Sequence, residues 1–223
     1  MVFLPEHLDW ESDAGRLIDR LAASLPAIPR MEINVFGSAP LQLLVERSFL
    51  SADVDLFTTE DQTDALSQWI ASQGLNRPDL HFEVCEPLAF RSTVDWRIRA
   101  VEVDCHGHRI RLVHPWDVLV SKVQRLEEKD LQAFRRVIQR TGHPTETEFL
   151  RHLQKAVDLY RPRFDEEDST GDMTANTRRL WQEIWGRPLD PREEIIRPAI
   201  ERANRAHSGF DPTLKSRLRE IGG

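Results

Sequence analysis

The chain has 223 residues, 40% hydrophobic and 30% charged, a balance typical of a globular protein rather than a disordered or membrane-spanning one. No segment approaches the ~20 apolar residues that span a bilayer. The first residues lack the basic and apolar regions of a secretory signal, so we expect a cytoplasmic protein with no membrane contact. The formal net charge of −7 argues against a broad duplex-DNA-binding surface, which needs lysine and arginine facing the phosphates.

The two cysteines, Cys85 and Cys105, are too few for a secreted disulfide scaffold, and they form no Cys-x-x-Cys pair for a structural zinc site. We interpret both as free, buried thiols. The sequence His106-Gly107-His108 could bind a metal weakly, but a solvated hairpin turn is the favoured interpretation.

The first half of the chain alternates between helical and extended patterns. Apolar residues at helical spacing predict a helix over 10–25, a short strand over 33–36 follows, and Gly37-Ser38 leads into a second helix. Period-two alternation predicts a strand over 53–57, then a helix that ends near 72. The next strand, over 80–85, places His81 and Glu83 on the face opposite its apolar residues. A hairpin with arms over 98–105 and 109–113 completes this half.

The second half is predicted to be helical. One long helix runs from 116 through 138, another covers 145–160, and 163–176 is a polar linker. Helices over 177–185 and 191–206 follow, and the tail after 208 is expected to be weakly ordered. The order predicts an α+β fold: a mixed, twisted sheet of four or five strands flanked by helices, with a core over 1–115 and a helical region over 116–223.

One short motif predicts chemistry. Asp53 and Asp55 are two residues apart on a strand, so both carboxylates lie on one face, where they repel each other unless a cation lies between them. Such oxygen ligands suit Mg²⁺ or Mn²⁺. Upstream, Gly37 permits a sharp turn and Ser38 lies at a helix N-terminus, where free N–H groups favour phosphate. The sequence therefore predicts a phosphate site beside a divalent metal site.

These residues resemble the signature of the polymerase-β-like nucleotidyltransferase superfamily, in which a strand, Gly-Ser and a helix precede Asp-x-Asp on the next strand. Here the motif is Val35-Phe36-Gly37-Ser38 followed by Asp53-Val54-Asp55-Leu56. The resemblance implies a nucleoside triphosphate as substrate, two bound Mg²⁺ or Mn²⁺ ions, and a third carboxylate on a later strand. Asp104 is preferred for that third position over Glu102, which shares its face.

A second resemblance extends the match to about residues 30–135. The segment 112–119, then Lys122, then Lys129-Asp130-Leu131, is similar to abortive-infection (AbiE-type) nucleotidyltransferases and related bacterial families. Lys122 and Asp130 are eight residues apart and are expected to share one helix face. The resemblance implies that Lys122 contacts the triphosphate and Asp130 completes or braces the site. It also implies a toxin that modifies tRNA or another RNA, with an antitoxin protein as partner.

Other interpretations stay open from sequence. Ser38 could simply cap a helix, and Asp130 could pair with Arg125 or Lys129. Three further arginines line a substrate groove or form the solvated face of a hairpin: Arg91, Arg97 and Arg99. At the level of the whole protein, the alternatives are a catalytically inactive nucleotide- or partner-binding module, or an interaction protein that dimerises through the amphipathic run over 195–206.

Overall fold

A computed structural model describes residues 3–49, 51–156 and 173–208, with the backbone alone from 203 onward. Nine α-helices and five strands lie in these ranges, together with short 3₁₀ turns at Pro5–His7, Glu60–Gln62 and Pro87–Ala89. The elements are α1 (Asp13–Ser24), β1 (Glu32–Val35), α2 (Ala39–Leu44), β2 (Asp53–Phe57), α3 (Thr63–Ser72), β3 (His81–Val84), α4 (Trp96–Arg99), β4 (Val101–Cys105), β5 (His108–Leu112), α5 (Pro115–Val123), α6 (Glu128–Thr141), α7 (Glu146–Leu153), α8 (Met173–Trp185) and α9 (Arg197–Ser208).

The five strands form one mixed sheet in the order β3-β2-β1-β5-β4. β2 runs antiparallel to β1 and parallel to β3, while β5 runs parallel to β1 and antiparallel to β4. The predicted α+β class and mixed sheet with flanking helices are confirmed, and the sheet has five strands where four or five were predicted. β2, the strand with the Asp-x-Asp motif, lies between β1 and β3, so its neighbours are residues 32–35 and 81–84.

One face of the sheet is apolar. Alternate residues of β2 and β1, such as Val54, Leu56 and Val35, are fully buried there against Leu17 of α1 and Leu66 of α3. α1 begins where the sequence requires it, because the hydroxyl of Ser12 accepts a hydrogen bond from a free N–H of the first turn at 3.1 Å. Burial of this face fixes the register of β2 and so turns both of its aspartates to the other side.

The opposite face is divided between two environments. Near β2, the rings of Phe57, Phe36 and Trp96 pack together and join the core formed by α5 to α8. Near β4 and β5, the same face instead carries a network of ion pairs that includes the pair of Arg111 and Glu32. The two aspartates of β2 therefore lie beside the helical region. The division into segments 1–115 and 116–223 stays a prediction; α5 packs on α2 as well as on α6 and α8.

The predicted long helix over 116–138 is wrong, because the chain breaks between α5 and α6. Leu126 has φ of +43° yet is buried. The carboxylate of Asp130 accepts a hydrogen bond from the backbone N–H of Glu127 at 3.0 Å, which starts α6 as a new helix. Because the residue at the break is apolar, the helical spacing of apolar residues continues across the break, and the sequence gives no sign of it.

Other boundaries differ in smaller ways. The strand predicted over 98–105 begins only at Val101, because residues 96–99 form α4. α7 ends at Leu153, earlier than predicted, because a turn follows it at 154–156, and α8 begins at 173 within the predicted linker. Residues 157–172 and the tail after 208 lie outside the described residues. The predicted helix over 191–206 is a π turn, Arg192–Ile196, followed by α9. Within the described ranges, no helix is both long and apolar enough to cross a membrane.

Candidate active site

Acidic side chains from two adjacent strands lie close together at one end of the sheet. β2 and β3 are parallel, and their register pairs Asp55 with Glu83. Ligand atoms of Asp55, Glu83 and the thiol of Cys85 all lie within 4.8 Å of one another. Asp53 lies one position along the same face of β2 and lines the same cleft. The structure thus brings Asp53 and Asp55 together, as predicted, and adds Glu83 as their neighbour.

Gly37 allows this arrangement by having no side chain. Its φ is +65°, and a Cβ built on it would lie 1.7 Å from Oδ2 of Asp55. The carboxylate of Asp55 therefore rests directly against the backbone of the turn that follows β1, where the N–H of Phe36 donates to the Asp55 carbonyl at 3.0 Å. Only glycine combines this backbone conformation with such a close approach.

The negative charges of these carboxylates repel one another. Burial and the neighbouring charges of Asp53 and Glu83 raise the pKa of Asp55 to about 6, against an opposing effect of the Lys122 ammonium. A carboxylate in this position gains from a nearby cation, which would remove the repulsion and restore its ionised form. The cluster consists of hard oxygen donors with one sulfur at its edge, and oxygen donors suit Mg²⁺ and Mn²⁺.

Ser38 and Lys122 face each other across the site. The Lys122 ammonium donates to the Ser38 hydroxyl at 3.2 Å and to a carboxylate oxygen of Asp130 at 3.0 Å. The side chain of Ser38 makes no capping hydrogen bond to α2, a helix of six residues, so its hydroxyl stays with Lys122. The interpretation of Ser38 as a side-chain helix cap is therefore wrong.

Asp130 is fully buried and serves as an anchor. Although burial opposes its ionisation, the Lys122 ammonium and the hydrogen bonds it accepts hold the pKa of Asp130 below its usual value. Besides Lys122, its carboxylate contacts the N–H of Glu127 at 3.0 Å and the Arg125 guanidinium at 3.5 Å. Lys122 and Asp130 do meet, as predicted, but they do so across the break between two helices and not along one helix face.

The space between these groups is a cleft of about 870 Å³. One wall is acidic and is formed by β2, with Asp53 and Asp55, and by the neighbouring strand β3, with Glu83. The other wall is basic and is formed by α5 and α6. Residues of α6 spaced three and four apart line the cleft, and those that are polar or basic are Lys129, Gln132 and Arg136. The cleft thus offers acidic groups for cations directly opposite cationic groups for phosphates.

Asp104 is not part of this site, and the prediction that it supplies the third carboxylate is wrong. It lies on β4, which is three strands away from β2, or roughly 14 Å across the sheet. Along the strand direction, Asp104 is also about four residues away from the position in line with Asp55. Its carboxylate binds Arg30 at 2.6 Å and the N–H of Gly107 at 3.0 Å. Glu102, the alternative, pairs with Arg109 and Arg111 at 3.1 and 2.8 Å on the same distant strand.

Glu83 and Cys85 were not among the site residues predicted from sequence. The alternation of apolar and polar residues over 80–85 did place Glu83 on the polar face of its strand, and this is the signal that could have identified it. The order of strands was the missing information, because only the parallel pairing of β3 with β2 brings Glu83 to Asp55. Burial and the charge of Glu83 raise the pKa of Cys85 to about 11, so this thiol is protonated at neutral pH.

The three arginines considered for a substrate groove have separate positions. Arg91 lines the cleft beside Phe90. Arg97 lies over the ring of Trp96, 4.7 Å from its centroid. Arg99 donates to the fully buried carboxylate of Asp117 at 2.9 Å. Of the three, only Arg91 is available to a ligand in the cleft.

Asp117 ties the wall behind the cleft together. Its carboxylate accepts hydrogen bonds from Ser92 at 2.7 Å, from Thr93 at 2.9 Å and from Arg99, and it lies 3.2 Å from the His152 ring. These partners stand on α4, on the segment before it and on α7, and they hold the pKa of Asp117 well below its usual range despite its burial. The network fixes the segment that brings Arg91 to the cleft.

Comparisons with known proteins give no match: no family model, no curated protein and no solved structure is significantly similar to this chain.

Proposed function

We propose that this protein is a metal-dependent nucleotidyltransferase that moves a nucleoside monophosphate from a nucleoside triphosphate to an acceptor hydroxyl. The observation that carries the proposal is the cleft itself, in which Asp53, Asp55 and Glu83 face the Ser38–Lys122 pair. Phosphoryl transfer needs metal cations at the reacting phosphate and separate positively charged side chains that bind the remaining phosphates. The resemblance of the Gly-Ser and Asp-x-Asp motifs to polymerase-β-like enzymes supports the same activity.

Two features of the carboxylate group fit Mg²⁺ or Mn²⁺. Carboxylate oxygens of Asp55 and Glu83 converge with Asp53 nearby on the same strand, and burial together with the charges of Asp53 and Glu83 raises the pKa of Asp55 to about 6. Gly37 lets the Asp55 carboxylate lie against the turn where the polyphosphate would enter. A divalent ion bound there would neutralise charge on the phosphates and on the attacking and leaving oxygens.

The protein's own groups have distinct roles in this proposal. Lys122 and Ser38 hold the terminal phosphates, and Asp130 keeps the Lys122 ammonium in place. The acceptor oxygen attacks the α-phosphorus and the bond to the β-phosphate oxygen breaks, so pyrophosphate leaves. Glu83, whose side chain is exposed at the cleft, is placed to receive the proton of the acceptor hydroxyl.

We propose RNA, such as tRNA, as the acceptor, in a toxin that an antitoxin protein neutralises. The basic face of α6, with Lys129 and Arg136, extends the cleft by about 10 Å and could carry phosphates of a chain. Because the whole protein has a net charge of −7, this local surface suits an RNA end better than long duplex DNA. The toxin role rests on the resemblance to AbiE-type enzymes.

The first test is incubation with each α-³²P-labelled nucleoside triphosphate, Mg²⁺ or Mn²⁺, and total bacterial RNA. We expect label on RNA with the wild type, none with Asp53→Asn or Asp55→Asn, and undiminished label with Asp104→Asn. Equal labelling by the Asp55 and Asp104 variants would refute the assigned site. Tight nucleotide binding without pyrophosphate release would instead indicate a catalytically inactive nucleotide-binding module.

A second test addresses the toxin role. Expression of the wild type in bacteria should arrest growth, and expression of the Asp53→Asn variant at the same level should not. Harmless expression of an enzyme that labels RNA in vitro would contradict the toxin role and leave the transferase activity standing.

A further inference from the structure

A second cluster of metal-type donors lies at the opposite edge of the sheet from the cleft. Asp19 of α1 meets Cys105 at the end of β4 and His106 in the turn that follows. Their carboxylate, thiol and imidazole donors all lie within 4.8 Å of one another. Oδ1 of Asp19 is 2.9 Å from Nε2 of His106 and 3.8 Å from Sγ of Cys105. Three different ligand types thus converge from two separate elements.

The spacing of these donors is close to that of a tetrahedral metal site. With zinc bonds of about 2.0–2.3 Å, neighbouring ligands lie roughly 3.4 Å apart for nitrogen and oxygen and roughly 3.6 Å apart for sulfur and oxygen. The observed separations of 2.9 and 3.8 Å differ from those values by about half an ångström or less. Small side-chain movements would therefore place all three donors on one ion.

The backbone of the turn holds the histidine in this position. His106 and Gly107 have φ of +52° and +84°, the conformation of a two-residue hairpin turn that asparagine-glycine ordinarily forms. A histidine stands at the place that asparagine would fill more easily, and its ring reaches back to Asp19 of α1. The turn therefore presents an imidazole to an adjacent carboxylate and thiol.

A buried imidazole lies beside this cluster and is already engaged. His108 is 1% exposed, and the register of the hairpin pairs it directly with Cys105. Its Nδ1 accepts from the backbone N–H of Met31 at 3.2 Å, so its Nε2 carries the ring proton and cannot act as a ligand. The donors available at this end of the hairpin are therefore those of Asp19, Cys105 and His106.

We propose that Asp19, Cys105 and His106 bind one thiophilic divalent cation of the Zn²⁺ class. Mixed sulfur, nitrogen and oxygen ligands suit Zn²⁺, and three protein ligands leave a fourth position for water. Binding releases the thiol proton of Cys105 to solvent. The ion would fasten the β4–β5 hairpin to α1, far from the carboxylates of the cleft. The sequence favoured a plain hairpin turn because Asp19 lies 86 residues before Cys105.

The test is a titration of the chelator-treated full chain with Zn²⁺ and Co²⁺, with excess Mg²⁺ present to occupy the cleft. We expect one Zn²⁺ per chain, a sulfur-to-cobalt charge-transfer absorption, and a rise in melting temperature on adding Zn²⁺. His106→Asn and Cys105→Ser should lose all three. His106→Asn is the stronger variant, because an asparagine-glycine turn keeps or improves the hairpin while the ligand is removed.

Cys85→Ser is the matched control, since Cys85 is the thiol beside the cleft carboxylates. It should bind Zn²⁺ and Co²⁺ as the wild type does. Loss of the metal in Cys85→Ser together with its retention in His106→Asn would place the metal in the cleft and overturn the proposal. The absence of stoichiometric binding to the wild type would overturn it as well. Neither outcome bears on nucleotidyl transfer, which the Mg²⁺-dependent assay measures separately.

Discussion

Replacement of Gly37 by alanine tests the site at its most crowded point. The new Cβ would lie 1.7 Å from Oδ2 of Asp55, whereas real Cβ atoms essentially never come closer than 3.0 Å to such an atom. The carboxylate or the turn must therefore move by about 1.3 Å or more. An alanine at a φ of +65° also costs roughly 1–2 kcal/mol of folding free energy, because its Cβ disfavours the left-handed region.

The displacement sets the expected loss of activity. A misplacement of about 1 Å in an active site can cost about 100-fold in rate, which corresponds to about 2.7 kcal/mol in the activation barrier. We therefore expect Gly37→Ala to lower the rate of nucleotidyl transfer by about two orders of magnitude and to weaken Mn²⁺ binding. The loss of stability alone would not produce this result, since a marginally less stable enzyme stays largely folded.

Gly74→Ala is the matched control. Gly74 has φ of +58°, close to that of Gly37, but a Cβ built there would meet nothing within 4 Å. Both variants should lose similar stability in urea unfolding, and only Gly37→Ala should lose transfer and Mn²⁺ affinity. Equal activity of the two variants would show that the contact between Gly37 and Asp55 has no part in catalysis, and the assigned geometry would be refuted.

Three further predictions follow from other parts of the structure. Glu83→Gln should abolish transfer in the labelling assay, because it removes a carboxylate beside Asp55. Asp104→Asn is the control and should keep full transfer, and an equal loss in that variant would contradict the prediction. Asp117→Asn should lower the free energy of unfolding by about 1.5–3 kcal/mol, since it removes the buried carboxylate that binds Arg99 and leaves this guanidinium with Asp95 as its charged partner. The exposed pair partner Glu193, replaced by alanine, should cost under about 1 kcal/mol in the same urea measurement. Burial lowers the pKa of His114 to about 4, below its value of about 6.5 in an unfolded chain, so its contribution to stability should decline as the pH falls from about 6.5 towards 4. His114→Asn, which keeps a helix-capping side chain, should flatten this dependence, and parallel curves for variant and wild type would rule the assignment out.

The local parts of the site could be predicted from sequence. The alternation in 53–57 placed both aspartates on one face, and that strand has the predicted bounds Asp53–Phe57. Gly37 was predicted to permit a sharp turn, and its φ of +65° confirms this. Both features depend on a few adjacent residues, whose side-chain direction and backbone freedom the sequence states directly.

The non-local parts could not be predicted. The third carboxylate depends on which strands are neighbours, and nothing in the sequence near Asp104 or Glu83 states that β3 and not β4 lies beside β2. The Lys122–Asp130 contact was predicted on a wrong premise. Eight residues along one helix span about 12 Å, so only the break at Leu126 brings the two side chains within 3.0 Å.

In the proposed function, a polyphosphate that binds Lys122 must replace the partners that Lys122 already has. In the free protein the Lys122 ammonium is already satisfied by Asp130 and Ser38, so an arriving phosphate must compete with a buried carboxylate for it. Asp130 can yield, because the N–H of Glu127 and the guanidinium of Arg125 still accompany its charge. In the proposed function, a weakly charged ligand would gain too little to displace Asp130 from Lys122. The junction between α5 and α6 would then favour highly charged ligands.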